Sequence, residues 1–236
     1  IITIFIIILV CFDIFLFMGY QEVLIFSFLI FASKNLYYYL EKQKKIYLIV
    51  AFACLNFVPW VKNEGYLFLI ILNLSLLFNI KKFEKKNKIF LFVLLSTLML
   101  IIKQLIFINF QESNLVHGGK IYLPNLMEII FFIKSLFFGF VIAIIKYKIW
   151  LFIFFGFYIF FKNNKLKRRY KSLIKILQIN LILFFILIIA IYFSVIDHSY
   201  GLNWWIDNSL DRIIYQISGL YIIVLPILLN NLKFKF

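Results

Sequence analysis

The sequence predicts an all-α fold: a polytopic transmembrane helical bundle of about 7–8 spans, with one or more interfacial helices on its outer face. Three observations predict it. Of 236 residues, 65% are hydrophobic and only 15% are charged, and the mean hydropathy is +1.02. A soluble domain of this length lacks the interior to hide so much apolar surface, so lipid must be the solvent for most of it. The apolar residues run continuously instead of alternating, which excludes a transmembrane barrel. The lysines sit in short clusters between those runs, as cytoplasmic membrane flanks do.

The same clustering removes nucleic acid as a partner, despite a net charge of +15. With 22 Lys against 3 Arg, and many Ile, Phe, Asn and Tyr, the chain has the composition of an AT-rich genome. Single lysines therefore say little, and the arginines say more. Cys11 and Cys54 both lie in apolar runs without metal spacing and read as small buried hydrophobes.

The chain opens IITIFIIILVCFDIF, without Met or a basic leader region. Its first run ends at Asp13, well short of the about 20 residues a span needs. Residues 1–18 read as the tail of a helix whose start is missing, and the whole of 1–236 as one transmembrane domain of an N-terminally truncated fragment.

Apolar runs follow at 22–40, 46–60, 65–80, 89–108, 128–145, 149–161, 173–194 and 213–230. Basic clusters at 42–45, 81–88, 162–175 and 233–235 hold 17 of the 25 Lys and Arg. The positive-inside rule makes all four cytoplasmic, with the C-terminus, in a multi-pass protein of the cell's inner or plasma membrane. Two crossings at 128–145 and 149–161 would put the cluster 162–175 outside. One of the two must cross while the other lies at the interface, and the favoured arrangement rests 123–147 on the outer surface.

The outer face then collects Tyr20-Gln21-Glu22, the Lys62-Asn63-Glu64 tip, the loop 109–127 and the loop 196–212. The helices beside the tip hold about fifteen or sixteen apolar residues, roughly 22–24 Å of rise against a hydrocarbon core near 30 Å. The tip should fall short of the outer aqueous phase. Charges at that depth face a cavity or a partner. Lys62 is placed to meet a lipid phosphate, or else it is neutralised by Glu64 and snorkels. Glu22 is a helix-start carboxylate favoured by the macrodipole, or one that holds a divalent metal or positions an acceptor. Arg212 offers bidentate phosphate contact, or anchors the interface through its neighbour Asp211. Lys103, about five residues from the outer end of its span, has room to snorkel. Trp204 and Trp205 fit an aromatic belt. His117, in VHGGK, belongs to a turn, and His198 has no second histidine for a metal.

GYQE at the start of one span, NFVPWVKNEGYLFLIILNLSLLF in the next pair and NSLDRIIYQISGLYIIVLP near the end form an ordered series. This series resembles the C-terminal two-thirds of integral-membrane GT-C glycosyltransferases. The likeness is to those similar to dolichyl-phosphate-mannose protein mannosyltransferases and bacterial aminoarabinose transferases. Glu22 takes the acidic position of a Gly-Tyr-Ala-Asp-like motif, with Gln21 where Ala is usual. Lys62, Asn63, Glu64 and Gly65 match a TKNEG-like hairpin, and Ser209, Asp211 and Arg212 match an S-x-D-R-L helix start.

The resemblance implies an inverting enzyme that moves a sugar from a polyprenyl-phosphate donor to a lipid, glycan or protein acceptor on the extracytoplasmic face. It implies Lys62 and Arg212 on the carrier phosphate, Glu64 and Asp211 among the substrate-binding residues and Glu22 as the catalytic carboxylate. It also implies membrane lipids as partners and a divalent ion, Mg or Mn, as the cofactor. The family's first external loop, with its acidic motif, would precede residue 1, so residues 1–236 alone are expected to be inactive. The alternative is a polytopic transporter or lipid flippase, which would place ionisable residues near the midplane. A non-catalytic scaffold would leave them dispersed.

Overall fold

Each of the eight runs from 22 onward contains a helix among the described residues. The computed structural model describes residues 20–83, 85–110, 126–162, 168–194, 210–224 and 226–227. Asp13, Cys11, His117, His198, Trp204, Trp205 and the basic cluster 233–235 lie outside them. The helices are α1 (Tyr20–Lys42), α2 (Lys45–Val61), α3 (Glu64–Phe78), α4 (Lys86–Phe110), α5 (Leu126–Lys146), α6 (Ile149–Lys162), α7 (Arg168–Ser194) and α8 (Asp211–Tyr221).

Among the described residues, three helices are long and apolar enough to cross a membrane, within α1, α4 and α7. The bent pair α5 and α6 makes a fourth if it counts as one span. The expected seven or eight is therefore not reached on length. The helices α2 and α3 have 17 and 15 residues, about 25 and 22 Å of rise.

The runs 128–145 and 149–161 are separate helices bent by 96° at Tyr147–Lys148. On α5, Leu136, Phe140 and Ala143 are buried, and Phe140 packs edge-on against Phe185 of α7 at 4.6 Å. Its other faces are exposed, from Ile130 and Phe131 to Ile142 and Ile145. In contrast, α6 lies along α8, with Trp150 and Phe157 both against Tyr221.

The run expected to reach 230 is interrupted at residues 222–223. Pro226 has no N–H for the carbonyl of Ile222, four residues back, and it biases the residue before it away from helix.

Antiparallel pairing sets which ends meet. The turn after α1 places Gln43 at φ 56, a left-handed helix cap, and leads at once into α2. Lys42 lies over the rings of Tyr38 on α1 and Tyr47 on α2, at 4.9 and 5.7 Å. The end of α1, the start of α2, the end of α3 and the start of α4 thus share one basic end. The opposite end gathers the start of α1, the α2–α3 hairpin, the far part of α4 and the start of α8.

Two glycines allow the close approaches that hold this opposite end together. A Cβ on Gly219 of α8 would lie 2.5 Å from the Phe26 carbonyl oxygen of α1. Phe26 also stacks on Tyr215 at 4.9 Å. Gly219 lies seven residues after Arg212 and Phe26 four after Glu22, so the contact puts those two charged residues on facing stripes. Buried polar bridges tie the rest. Asn56 of α2 donates to Ser96 of α4 at 3.3 Å, and the Tyr221 hydroxyl of α8 donates to Asn180 of α7 at 2.5 Å.

Candidate functional site

Lys62 is the residue at which the chain leaves α2. Its φ of −159° is extended, and Gly65 N–H donates to its carbonyl at 2.9 Å. Only Lys62 and Asn63 separate α2 from α3. So short a link brings the helices into backbone contact: a Cβ on Gly65 would lie 2.5 Å from the Val58 carbonyl carbon and 2.6 Å from Pro59 N. The tip therefore has one geometry, and Lys62 projects from it toward α1.

There it meets Glu22, in the first turn of α1, where the helix macrodipole favours a carboxylate. Lys62 Nζ donates to Glu22 Oε1 at 3.0 Å and lies 3.1 Å from Glu64 Oε1. Arg212 Nη1, from the start of α8, approaches the same Glu22 Oε1 at 3.6 Å. Glu22 is 5% exposed, so one buried carboxylate oxygen faces two cations from residues 40 and 190 positions away in sequence.

Burial and partners divide the two cations. The Lys62 side chain is 22% exposed and serves two carboxylates, whereas that of Arg212 is 39% exposed. At 3.6 Å the Arg212 contact is an ion pair without a hydrogen bond. Its Nε has no hydrogen-bond partner among the described residues. Arg212 thus keeps its buried Nε donor unused, and the Lys62 ammonium, with three N–H groups and two carboxylates in contact, keeps one.

Asp211 is not the partner of Arg212. Neighbouring residues on a helix face different ways, and Asp211 points to α5. There its Oδ2 accepts from Lys146 Nζ at 2.5 Å and from the Tyr147 hydroxyl at 3.5 Å. An Asp–Arg anchor is thereby replaced by an Asp–Lys link between α8 and the end of α5. It also frees Arg212 from neutralisation by its neighbour.

No protein-family model, curated protein or solved structure matches the chain.

Lys103 and Lys146 are the cations that sequence reasoning missed. Lys103 does not snorkel. It is 8% exposed, donates to the Pro59 carbonyl and lies over the ring of Tyr66 at 4.2 Å. A proline three residues before a helix-ending lysine was the one local signal, and it does not point to residue 103.

A divalent cation has poor company here. Among the described residues no group of three or more His, Cys, Asp or Glu gathers. Glu22 and Glu64, the two carboxylates at hand, both turn an oxygen onto the Lys62 ammonium, whose positive charge opposes a second cation beside it. As arranged, these residues hold an ammonium.

Proposed function

We propose that the chain is the transmembrane module of a glycosyltransferase. It would act on a polyprenyl-phosphate-linked sugar and a lipid, glycan or protein acceptor, in the manner of the GT-C enzymes it resembles. One observation carries the reading: Lys62 and Arg212, distant in sequence, meet around Glu22 at one end of the bundle. In this reading Arg212 takes the phosphate oxygens through its guanidinium group. Lys62 adds a second positive charge beside it. As the glycosyl bond breaks, negative charge grows on the phosphate, and preorganised cations stabilise that change.

Glu22 lies on the phosphate side, between the two cations. In an inverting displacement the attacking hydroxyl approaches from the face opposite the leaving phosphate. Its position therefore suits Glu22 to holding the cations rather than to taking the acceptor's proton. No step is assigned to a metal.

The topology follows from the same reading. The basic end is cytoplasmic and the Lys62 end extracytoplasmic. Seven helices then cross in alternation, with α5 at the outer interface. The short helices α2, α3, α6 and α8, of 17, 15, 14 and 11 residues, cross where the bilayer thins, at a cost of fractions of a kcal/mol per Å.

A transport reading draws on Gln216 and Asn73, buried carboxamides without hydrogen-bond partners among the described residues. Proteoliposomes holding the chain and a fluorescent polyprenyl phosphate separate the two. We expect saturable binding with no movement of the label between leaflets. Movement between leaflets would establish transport, and absence of binding would refute the transferase.

A further inference from the structure

We propose that Lys103 of α4 is a positioning residue: it fixes the end of α2 from behind, so that Lys62 stays against Glu22. The role rests on reading Lys62 as a phosphate-holding cation. The contact it explains exists independently of that reading.

The last turn of a helix leaves carbonyls without partners, and its C-terminus carries partial negative charge. In α2 the Pro59 carbonyl is such a group, because the chain turns out of the helix at Lys62 before residue 63 can donate to it. Pro59 is buried, so water is not on hand to replace that donor. Lys103 supplies it, with its ammonium on the Pro59 carbonyl.

Two rings complete the seat. The Lys103 Nζ lies 4.2 Å from the Tyr66 ring centroid on α3 and 5.9 Å from that of Trp60 on α2. An ammonium held over aromatic faces gains from their quadrupoles, more so when desolvated. One side chain of α4 therefore touches both arms of the hairpin, on either side of Lys62. Gly65 closes the third side through backbone contact with Val58 and Pro59. Pinned from α3 and α4, the tip has Lys62 left to reach α1.

A merely structural lysine would stabilise the bundle without setting the distance between Lys62 and Glu22. The two ion pairs of Lys62 tell these roles apart. Its pair with Glu64 lies within the hairpin tip, and its pair with Glu22 spans from the tip to α1. A membrane-permeant carbodiimide activates a carboxylate, and an amine in contact displaces it as an amide with release of the urea. Mass spectrometry of the digested full chain in detergent micelles then gives the ratio of 22–62 to 62–64 cross-links. No lipid phosphate is needed, so failure here is distinct from failure of the transferase reading.

Lys103→Met should lower that ratio about fivefold or more, the lower end of the coupling typical between two linked sites. Lys103→Arg, which keeps the cation, should restore it. Tyr66→Leu removes only the ring beneath the ammonium and should lower the ratio in the same direction. It serves as the readout if Lys103→Met does not fold. An unchanged ratio in a folded Lys103→Met, or in Tyr66→Leu should the former fail to fold, would overturn the proposal.

Discussion

Replacing Gly65 by alanine is expected to destabilise the bundle by about 3 kcal/mol, at the upper end of what an overpacked interior costs. The added methyl group would meet the backbone of Val58 and Pro59 at 2.4–2.6 Å. Backbone cannot swing aside as a side-chain tip can. Only two residues join α2 to α3, so no slack in the link absorbs the clash. The hairpin must open, and Lys62 must move with it. Denaturant unfolding in mixed micelles reads the loss of stability, with an unaltered helical circular dichroism signal before the transition. A variant as stable as the parent would mean that the two helices do not approach so closely.

Arg212→Gln is expected to weaken binding of a polyprenyl phosphate about a hundredfold while leaving the fold intact. Hydrogen bonds to charged groups contribute about 1.5–3 kcal/mol each, and a bidentate guanidinium contact makes two. Losing about 3 kcal/mol gives the stated factor. The fold should tolerate the change because Arg212 is 39% exposed and makes no hydrogen bond to Glu22. Lys62 still pairs with the buried Glu22 after the substitution. Arg212→Lys should recover only part of the affinity, since an ammonium is a point charge without the planar fork. Titration of the lipid phosphate into nanodiscs holding each variant measures all three. Equal affinities would remove Arg212 from any phosphate site.

Much of this arrangement is legible in the residues because the chain alternates apolar runs with charges. Each helix from α1 to α8 coincides with such a run, and the Lys62-Asn63-Glu64 tip reads directly as a hairpin between two of them. Alternation of basic clusters also indicates which ends share a side, and puts Glu22, Lys62 and Arg212 on one of them. Their actual contacts are another matter. They depend on how far α8 can approach α1, which rests on Gly219 meeting the Phe26 carbonyl. Helices that are apolar on every face carry little periodicity to say which face packs where.

For the same reason Lys103 reads as a snorkelling residue until Pro59, Trp60 and Tyr66 are seen around it. Asp211 likewise reads as the partner of Arg212, its neighbour in sequence. Its actual partner, Lys146, is 65 residues away. The bend of 96° after α5 turns on two residues, Tyr147 and Lys148, that differ little from a basic span end.

The central claim is that Lys62 and Arg212 act on one phosphate. A double-mutant cycle of Lys62→Met and Arg212→Gln, read as affinity for a polyprenyl monophosphate in nanodiscs, tests it most directly. Cations that share an anion through Glu22 predict non-additive losses, with a coupling of about 0.5–3 kcal/mol. Strictly additive losses, or affinity that neither substitution alters, would contradict a shared site.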